Sequence, residues 1–191
     1  MDPDGLIFAV ATTAEQRAAR RAGARTALIG LGAANGIPEG RLVSFGLAGA
    51  LHDGLSCGEV IDATRVVDGE GAVLWEGPPL GVTGARAGTI LAMDSIVDDP
   101  IERLRLHERT GADAADLESG ALARTGRLAG VLRAISDTPG RGLSGIEGAV
   151  DREGRTDWSG LALAFARAPR GVARAAADAR RALKRLEEAA A

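Results

Sequence analysis

Short apolar runs alternate along this chain with segments of helical period, and glycine or proline marks most of the joins. Leu6 to Ala11 is the first such run and predicts a buried strand. Ala14 to Gly23 holds good helix formers, with Thr12 or Thr13 placed to cap them. Thr26 to Leu31 predicts a second strand, closing on Gly30-Leu31-Gly32. Arg41 to Ala48 predicts a third, closing on Gly46-Leu47-Ala48-Gly49. Glu59 to Val67 is rich in β-branched residues and predicts a fourth. Gly88 to Met93 predicts a fifth strand and Val131 to Ile135 a late one; Pro100 to Arg109 and Glu118 to Arg127 predict helices between them. Asp157 to Ala191 reads as two helices broken at Pro169, and the Gly/Pro-rich stretch from Gly69 to Gly88 as a long excursion. Strands interleaved with helices predict an α/β layer fold on a parallel or mixed sheet. No repeat, low-complexity linker or domain boundary divides the chain.

Composition narrows the class. A chain of 191 residues suits one sizeable domain. With no Tyr, three Phe and two Trp, its core must be built from Leu, Ile, Val and Ala. The net charge of −3 gives no reason to expect nucleic acid. A single cysteine, Cys57, excludes an intramolecular disulfide and a Cys-rich metal site. The acidic start, Met1-Asp2-Pro3-Asp4-Gly5, lacks the order of a signal peptide, and no apolar run approaches the ~20 residues that span a bilayer. The expectation is a soluble, cytoplasmic protein with no transmembrane segment.

Candidate chemistry concentrates in two acidic segments. In Val131-Leu-Arg-Ala-Ile-Ser136-Asp137-Thr-Pro-Gly140 an apolar strand delivers one carboxylate to its C-terminal edge, where a loop takes over. Ligands of open α/β sheets bind at that edge. Upstream lies Ala115-Asp116-Leu117-Glu118-Ser119. Two carboxyl groups in one cleft can take different roles, one as an acid and one ionised. Each also has a plain reading: Glu118 as charge complement to a helix N-terminus, Asp116 as its cap, Asp137 as a turn residue.

The glycines admit more than one reading. Gly30-Leu-Gly32 after a strand invites a dinucleotide site, but Asn35 stands where that motif needs a third glycine, and Ser44-Phe45-Gly46 where it needs an acidic residue. Gly30 and Gly32 remain candidates to offer amides to a small anion, or to make a tight turn. Ala48 and Gly49 are small residues where a ligand could touch main chain. His52 and His107 are too isolated in sequence for a metal pair. The arginines from Arg167 to Arg185 are diluted by Asp178, Glu187 and Glu188 and read as a solvated face.

Taken in order, Ala11 to Glu15, Gly30-x-Gly32, Ser44-Phe-Gly-Leu-Ala-Gly-Ala-Leu51, Gly58-Glu-Val-Ile-Asp62, Gly111-Ala-Asp-Ala-Ala-Asp-Leu-Glu-Ser119 and Leu132-Arg-Ala-Ile-Ser-Asp137 resemble the purine and uridine phosphorylase family. That family also contains the methylthioadenosine and futalosine nucleosidases. The branch most similar to this chain is that of the hopanoid-associated phosphorylases. The resemblance covers nearly the whole chain and implies a three-layer α/β/α sandwich on a mixed, mostly parallel sheet. It implies one domain over 1–191, with helices of 157–191 packing on it. It also implies a purine, adenine-type nucleoside as substrate and a homo-oligomer, with no metal or organic cofactor.

Carried over position by position, the resemblance makes Asp137 the acid that protonates the leaving base. It makes Glu118 the carboxylate that holds the ribose hydroxyls. Leu117 stands for the usual Met, and Ile96, with Val97, falls near the family's aromatic stacking position. Ala48, Gly49 and Ser136 join these around the substrate. A positioned acid at an N-glycosidic bond contributes typically ~10²–10⁴-fold. The nucleophile stays open between water polarised by Glu15 and inorganic phosphate, a possible co-substrate held by Gly30 and Gly32 with Arg17, Arg20 or Arg41. Two departures stand out. Ala33 to Gly40 is too short for the family's helix, and Asp68 to Thr89 looks trimmed. A nucleoside-binding or scaffold protein without turnover is the alternative reading.

Overall fold

Strand after strand in this chain is apolar on both faces, so the sheet has to be covered on both sides. The computed structural model describes residues 5–143 and 149–191. Its elements are β1 (Leu6–Val10), α1 (Thr13–Arg21), β2 (Thr26–Leu28), β3 (Arg41–Ala50), β4 (Val60–Val67), β5 (Val73–Glu76) and β6 (Arg86–Ala92). There follow α2 (Pro100–Thr110), β7 (Ala114–Asp116), α3 (Ser119–Ala123), β8 (Leu128–Asp137), α4 (Trp158–Arg167) and α5 (Pro169–Ala190). Along β1, Ile7 and Ala9 enter one apolar cluster while Phe8 and Val10 enter another. Alternation with both faces buried is what a sheet between helical layers requires.

The strands run β2-β1-β3-β7-β6-β4-β5, with β8 paired to both β3 and β4. β1/β2, β1/β3, β3/β8, β4/β6 and β6/β7 are parallel, and β3/β7, β4/β5 and β4/β8 antiparallel. The sheet is therefore mixed and mostly parallel, with helices on both sides. On one side α1 and α5 cover Phe8, Val43, Phe45, Leu132 and Ala134. Ala182 and Leu186 of α5 join that cluster, and the buried positions of the helix, Val172, Ala175, Asp178, Ala182 and Leu186, recur every three or four residues. On the other side α3 brings Leu122 and Ala123 onto Leu42, Ile61, Val66 and Val131.

The observed boundaries refine the expectations from sequence. β8 is ten residues long rather than five. The Gly69–Gly88 excursion contains β5 and the start of β6; its first turn closes where Asp68 accepts from the amides of Glu70 (3.0 Å) and Ala72 (2.9 Å). The helix expected over Glu118 to Arg127 ends at Ala123, because Thr125 and left-handed Gly126 (φ 68°) turn the chain into β8. Just before that helix lies β7, a three-residue strand that pairs with the end of β3. Between β2 and β3 there is only a 3₁₀ turn, Leu31–Ala33, where the family's helix was expected to be absent. The tail forms two helices that meet at Pro169. No helix among the described residues is long and apolar enough to cross a membrane.

Leu186 is fully buried where α5 meets the sheet, while the nearby Lys184 side chain is mostly exposed. Leu186→Ala is expected to cost about 2–5 kcal/mol in urea unfolding, and Lys184→Ala less than about 0.5 kcal/mol.

Candidate active site

The C-terminal ends of β1, β3 and β8 converge on one pocket of about 330 Å³. The first turn of α1, the end of β7, residues 93–97 and one face of α5 complete its wall. Of the residues singled out from sequence, Glu15, Ala48, Gly49, Ile96, Val97, Leu117, Glu118, Ser136 and Asp137 all line it. Gly30 and Gly32 do not; Leu31 between them does.

Asp137 is the last residue of β8 and is 4% exposed. Ser136 Oγ donates to its Oδ1 at 2.6 Å, and Arg103 Nη2 pairs with its Oδ2. Gly49 lies opposite it in the β3/β8 register; a Cβ there would come within 2.8 Å of Asp137 Oδ2. Glycine at 49 thus leaves the space that the carboxylate occupies. Burial pushes the Asp137 carboxyl above the usual range, while Arg103 and the Ser136 hydroxyl pull it back in part.

Arg103 was not foreseen. It sits in α2 on the same side as Leu106, and both are buried. Its Nε donates to Val97 O (2.8 Å) and its Nη1 to Ala50 O (3.1 Å), and Asp98 lies 3.4 Å from Nη2. One guanidinium thereby joins the loop carrying Ile96 and Val97, the end of β3, and Asp137. The available signal was the spacing of three between Arg103 and Leu106; Ile101 and Leu104, which look like the core face, are exposed instead.

Glu118 stands at the start of α3 and is buried. Gly32 N donates to its Oε1 at 3.1 Å, and Arg133 Nη2 lies 3.4 Å from its Oε2. The Gly32 amide, an expected anion donor, is therefore committed to a side chain. Burial, with help from Asp116 and Glu15, raises the Glu118 carboxyl from 4.5 to about 7 against the pull of Arg133 and Gly32. Asp116, read from sequence as a cap, is buried before α3 and accepts from the helix's first amide, Ser119 N, at 3.1 Å, while Arg133 Nη2 lies 2.5 Å from its Oδ2.

Arg133 is the second unforeseen residue, although it lies inside the quoted β8 motif. It is fully buried and also donates to Ser44 Oγ at 2.7 Å. Burial works against its charge, and Asp116, Glu118 and Glu15 more than restore it. A lone arginine among Val131, Leu132, Ala134 and Ile135 was the sequence signal: a charge in a buried strand requires carboxylates nearby.

Glu15 is bound more tightly than a free base would be. Its Oε2 accepts from Ala11 N (3.0 Å), Thr12 N (2.8 Å) and Thr12 Oγ1 (3.0 Å), and its Oε1 from Leu47 N (2.8 Å). With Thr12 as N-cap this is a reciprocal capping box, worth about 0.5–2 kcal/mol to α1. Oε1 also faces Gly46, whose missing side chain makes room for both Glu15 and Arg133.

The remaining candidates fall elsewhere. The Gly30 turn leads into a single 3₁₀ turn and no α-helix, and Asn35 donates to Glu153 O at 3.1 Å, so the dinucleotide reading has no support. Arg17, Arg20 and Arg41 lie away from the pocket wall. His52 and His107, apart in sequence, stack with ring centroids 4.3 Å apart, and their Nδ1 atoms bond to main chain. Among the described residues, no group of three or more His, Cys, Asp or Glu is arranged to hold a metal ion.

No protein-family profile and no curated protein sequence matches the chain. Solved structures do. The 5'-methylthioadenosine/S-adenosyl homocysteine nucleosidase of Helicobacter pylori superposes with a TM-score of 0.54 at 14% identity, over 96% of this chain and 97% of that one. The futalosine hydrolase of Helicobacter pylori gives 0.55 at 14% identity, over 96% and 97%. The 5'-methylthioadenosine/S-adenosylhomocysteine nucleosidase of S. pneumoniae, bound to a transition-state inhibitor, gives 0.54 at 15% identity, over 95% and 99%. At these identities the likeness is one of architecture: the chain carries the fold of these methylthioadenosine/S-adenosylhomocysteine nucleosidases and of futalosine hydrolase.

Proposed function

We propose that this protein cleaves the N-glycosidic bond of a purine nucleoside, adenine-type and modified at the 5′ position. The observation that carries the reading is that Asp137 and Glu118 meet in one pocket, both buried and both held above the ordinary carboxylate range. Such groups cluster where proton transfer is needed. In this reaction the bond from C1′ to the base breaks with its electron pair going to the base. Asp137 donates its proton to a ring nitrogen as that charge develops. The carboxylate left behind faces Arg103 and Ser136, which stabilise it in place. Glu118, ionised, accepts from the ribose hydroxyls and sets negative charge beside the oxocarbenium-like sugar.

We infer hydrolysis rather than phosphorolysis. Arg103, in the pocket wall, is paired with Asp137 and Asp98, and Arg133, which does not line the pocket, with Asp116 and Glu118. The Gly32 amide is taken by Glu118. An incoming phosphate dianion would find these positive groups already neutralised. Water near Glu15 Oε1, whose proton passes to that carboxylate as oxygen adds to C1′, needs no such site. The 5′ substituent would lie against apolar side chains such as Leu31, Met93, Leu143 and Leu183. A second copy of the chain would fit on exposed Ile96, Ile101 and Leu104 beside the pocket.

The deciding assay is adenine release from adenosine, 5′-deoxyadenosine and methylthioadenosine, with and without phosphate. Release independent of phosphate is expected, and Asp137→Asn should lower it by about 10²–10⁴-fold. A nucleoside that binds wild type and Asp137→Asn equally and is cleaved by neither would mean a binding protein. Activity is also expected to rise as Glu118 loses its proton near pH 7, and Glu118→Gln should abolish that limb. The same proton has a stability signature. Between about pH 4.5 and 7 the folded protein holds a proton that the unfolded chain releases, so stability falls as pH rises across that window. Melting temperatures of Glu118→Gln should show a flatter slope there.

A further inference from the structure

Side-chain amides are nearly absent from this chain. Its 191 residues include one asparagine, Asn35, and one glutamine, Gln16. Asparagine and glutamine are the thermolabile side chains that heat-adapted proteins shed. The single asparagine nevertheless precedes a glycine, the neighbour that shields its own main-chain nitrogen least. Both residues are exposed, and Gly36 takes φ 84°, in the left-handed region that favours glycine. The turn they form also holds a distant part of the molecule. Asn35 Nδ2 donates to Glu153 O at 3.1 Å and to Leu28 O at 3.4 Å. Glu153 belongs to a short hairpin closed by the bridge of Val150 to Thr156. Leu31 N to Arg152 O (2.9 Å) and Thr13 N to Gly154 O (3.0 Å) tie the same hairpin to the body of the protein. Its Val150, Gly154 and Thr156 line the pocket.

We propose that Asn35 is a site of spontaneous deamidation, and that its conversion loosens the 150–156 hairpin from the pocket wall. The Gly36 nitrogen adds to Asn35 Cγ and gives up its proton to water or hydroxide. The bond from Cγ to Nδ2 breaks, and that nitrogen leaves as ammonia with a proton from water. Water then opens the resulting succinimide at either carbonyl, giving aspartate or isoaspartate. Gly36 N donates to Ala33 O at 2.9 Å and Asn35 Nδ2 to Glu153 O, so the ring forms when this surface turn opens locally. The product has no side-chain donor at this position. It sets a carboxylate oxygen against the carbonyl of Glu153, an acceptor facing an acceptor where a hydrogen bond stood. Isoaspartate also lengthens the backbone of the turn by a carbon, which shifts Leu31 N from Arg152 O. The proposal stands apart from the reaction and does not depend on it.

The test is to age the full chain in warm, mildly alkaline buffer and follow its intact mass, then locate any change by peptide mapping. The mass difference between an amide and an acid is expected to accumulate on the peptide from Thr26 to Arg41, and Asn35→Gln should prevent it. Isomerisation at Asp53-Gly54 or Asp68-Gly69 leaves the mass unchanged and is not mistaken for it. The hairpin is read by brief trypsin treatment, since Arg152 and Arg155 are exposed within it. Loss of one hydrogen bond should speed cutting after these two arginines about fivefold, in aged protein and in Asn35→Asp alike. The aged wild type keeps the test decisive should Asn35→Asp fail to fold. No gain in mass overturns the proposal, as does a gain that Asn35→Gln leaves in place. A gain at Asn35 with cutting at Arg152 and Arg155 unchanged overturns the loosening of the hairpin.

Discussion

Much of this fold hangs on a guanidinium in the wrong place. Arg133 sits in the middle of a buried strand, where an unpaired charge would not survive. It survives because β7, α3 and α1 each bring a carboxylate toward it, and β3 brings the hydroxyl of Ser44. Removing one partner from such a cluster costs about 3–5 kcal/mol, because it strands the others. The cluster is thus a constraint on where four separate elements can lie. It also makes the acidic segment, which would repel itself if left alone, compatible with a dry interior. The raised pKa of Glu118 is what remains after that compensation.

How much of this was legible beforehand differs element by element. The long strands β1, β3, β4 and β8 announced themselves, because burial on both faces leaves runs that are mostly apolar or β-branched. β7 did not: at three residues it has no period to read, and its pairing with the end of β3 is a tertiary event. The α3 helix was overextended because Leu122 to Arg127 suits a helix locally, whereas Gly126 ends it by conformation. The family resemblance brought out Asp137, Glu118 and Glu15 by motif, and the pocket gathers all three. It passed over Arg103 and Arg133, whose roles come from what they face. The expectation that Gly30 and Gly32 serve an anion came from the turn's shape alone; the Gly32 amide meets Glu118, which is distant in sequence.

The shortened connection between β2 and β3 has a local answer. The Leu31 turn is held by residues from far along the chain: Leu31 N donates to Arg152 O, and Asn35 Nδ2 to Glu153 O. Gly154 in turn accepts from Thr13 N and packs so closely on Ala11 that a Cβ would overlap its carbonyl. Residues 150–156 therefore hold the β2–β3 turn in place, and Val150, Gly154 and Thr156 among them line the pocket.

Glu15 makes one further point. Its two oxygens answer to different masters, one to the beginning of α1 and the other to the amide of Leu47 in β3. A molecule arriving at that carboxylate competes for lone pairs rather than for volume. Whatever binds there must offer a donor at least as good as a peptide N–H, or leave those bonds intact. On the proposed reading, the helix cap would favour donors such as water and hydroxyls at the edge of the group over anything that brings only acceptors.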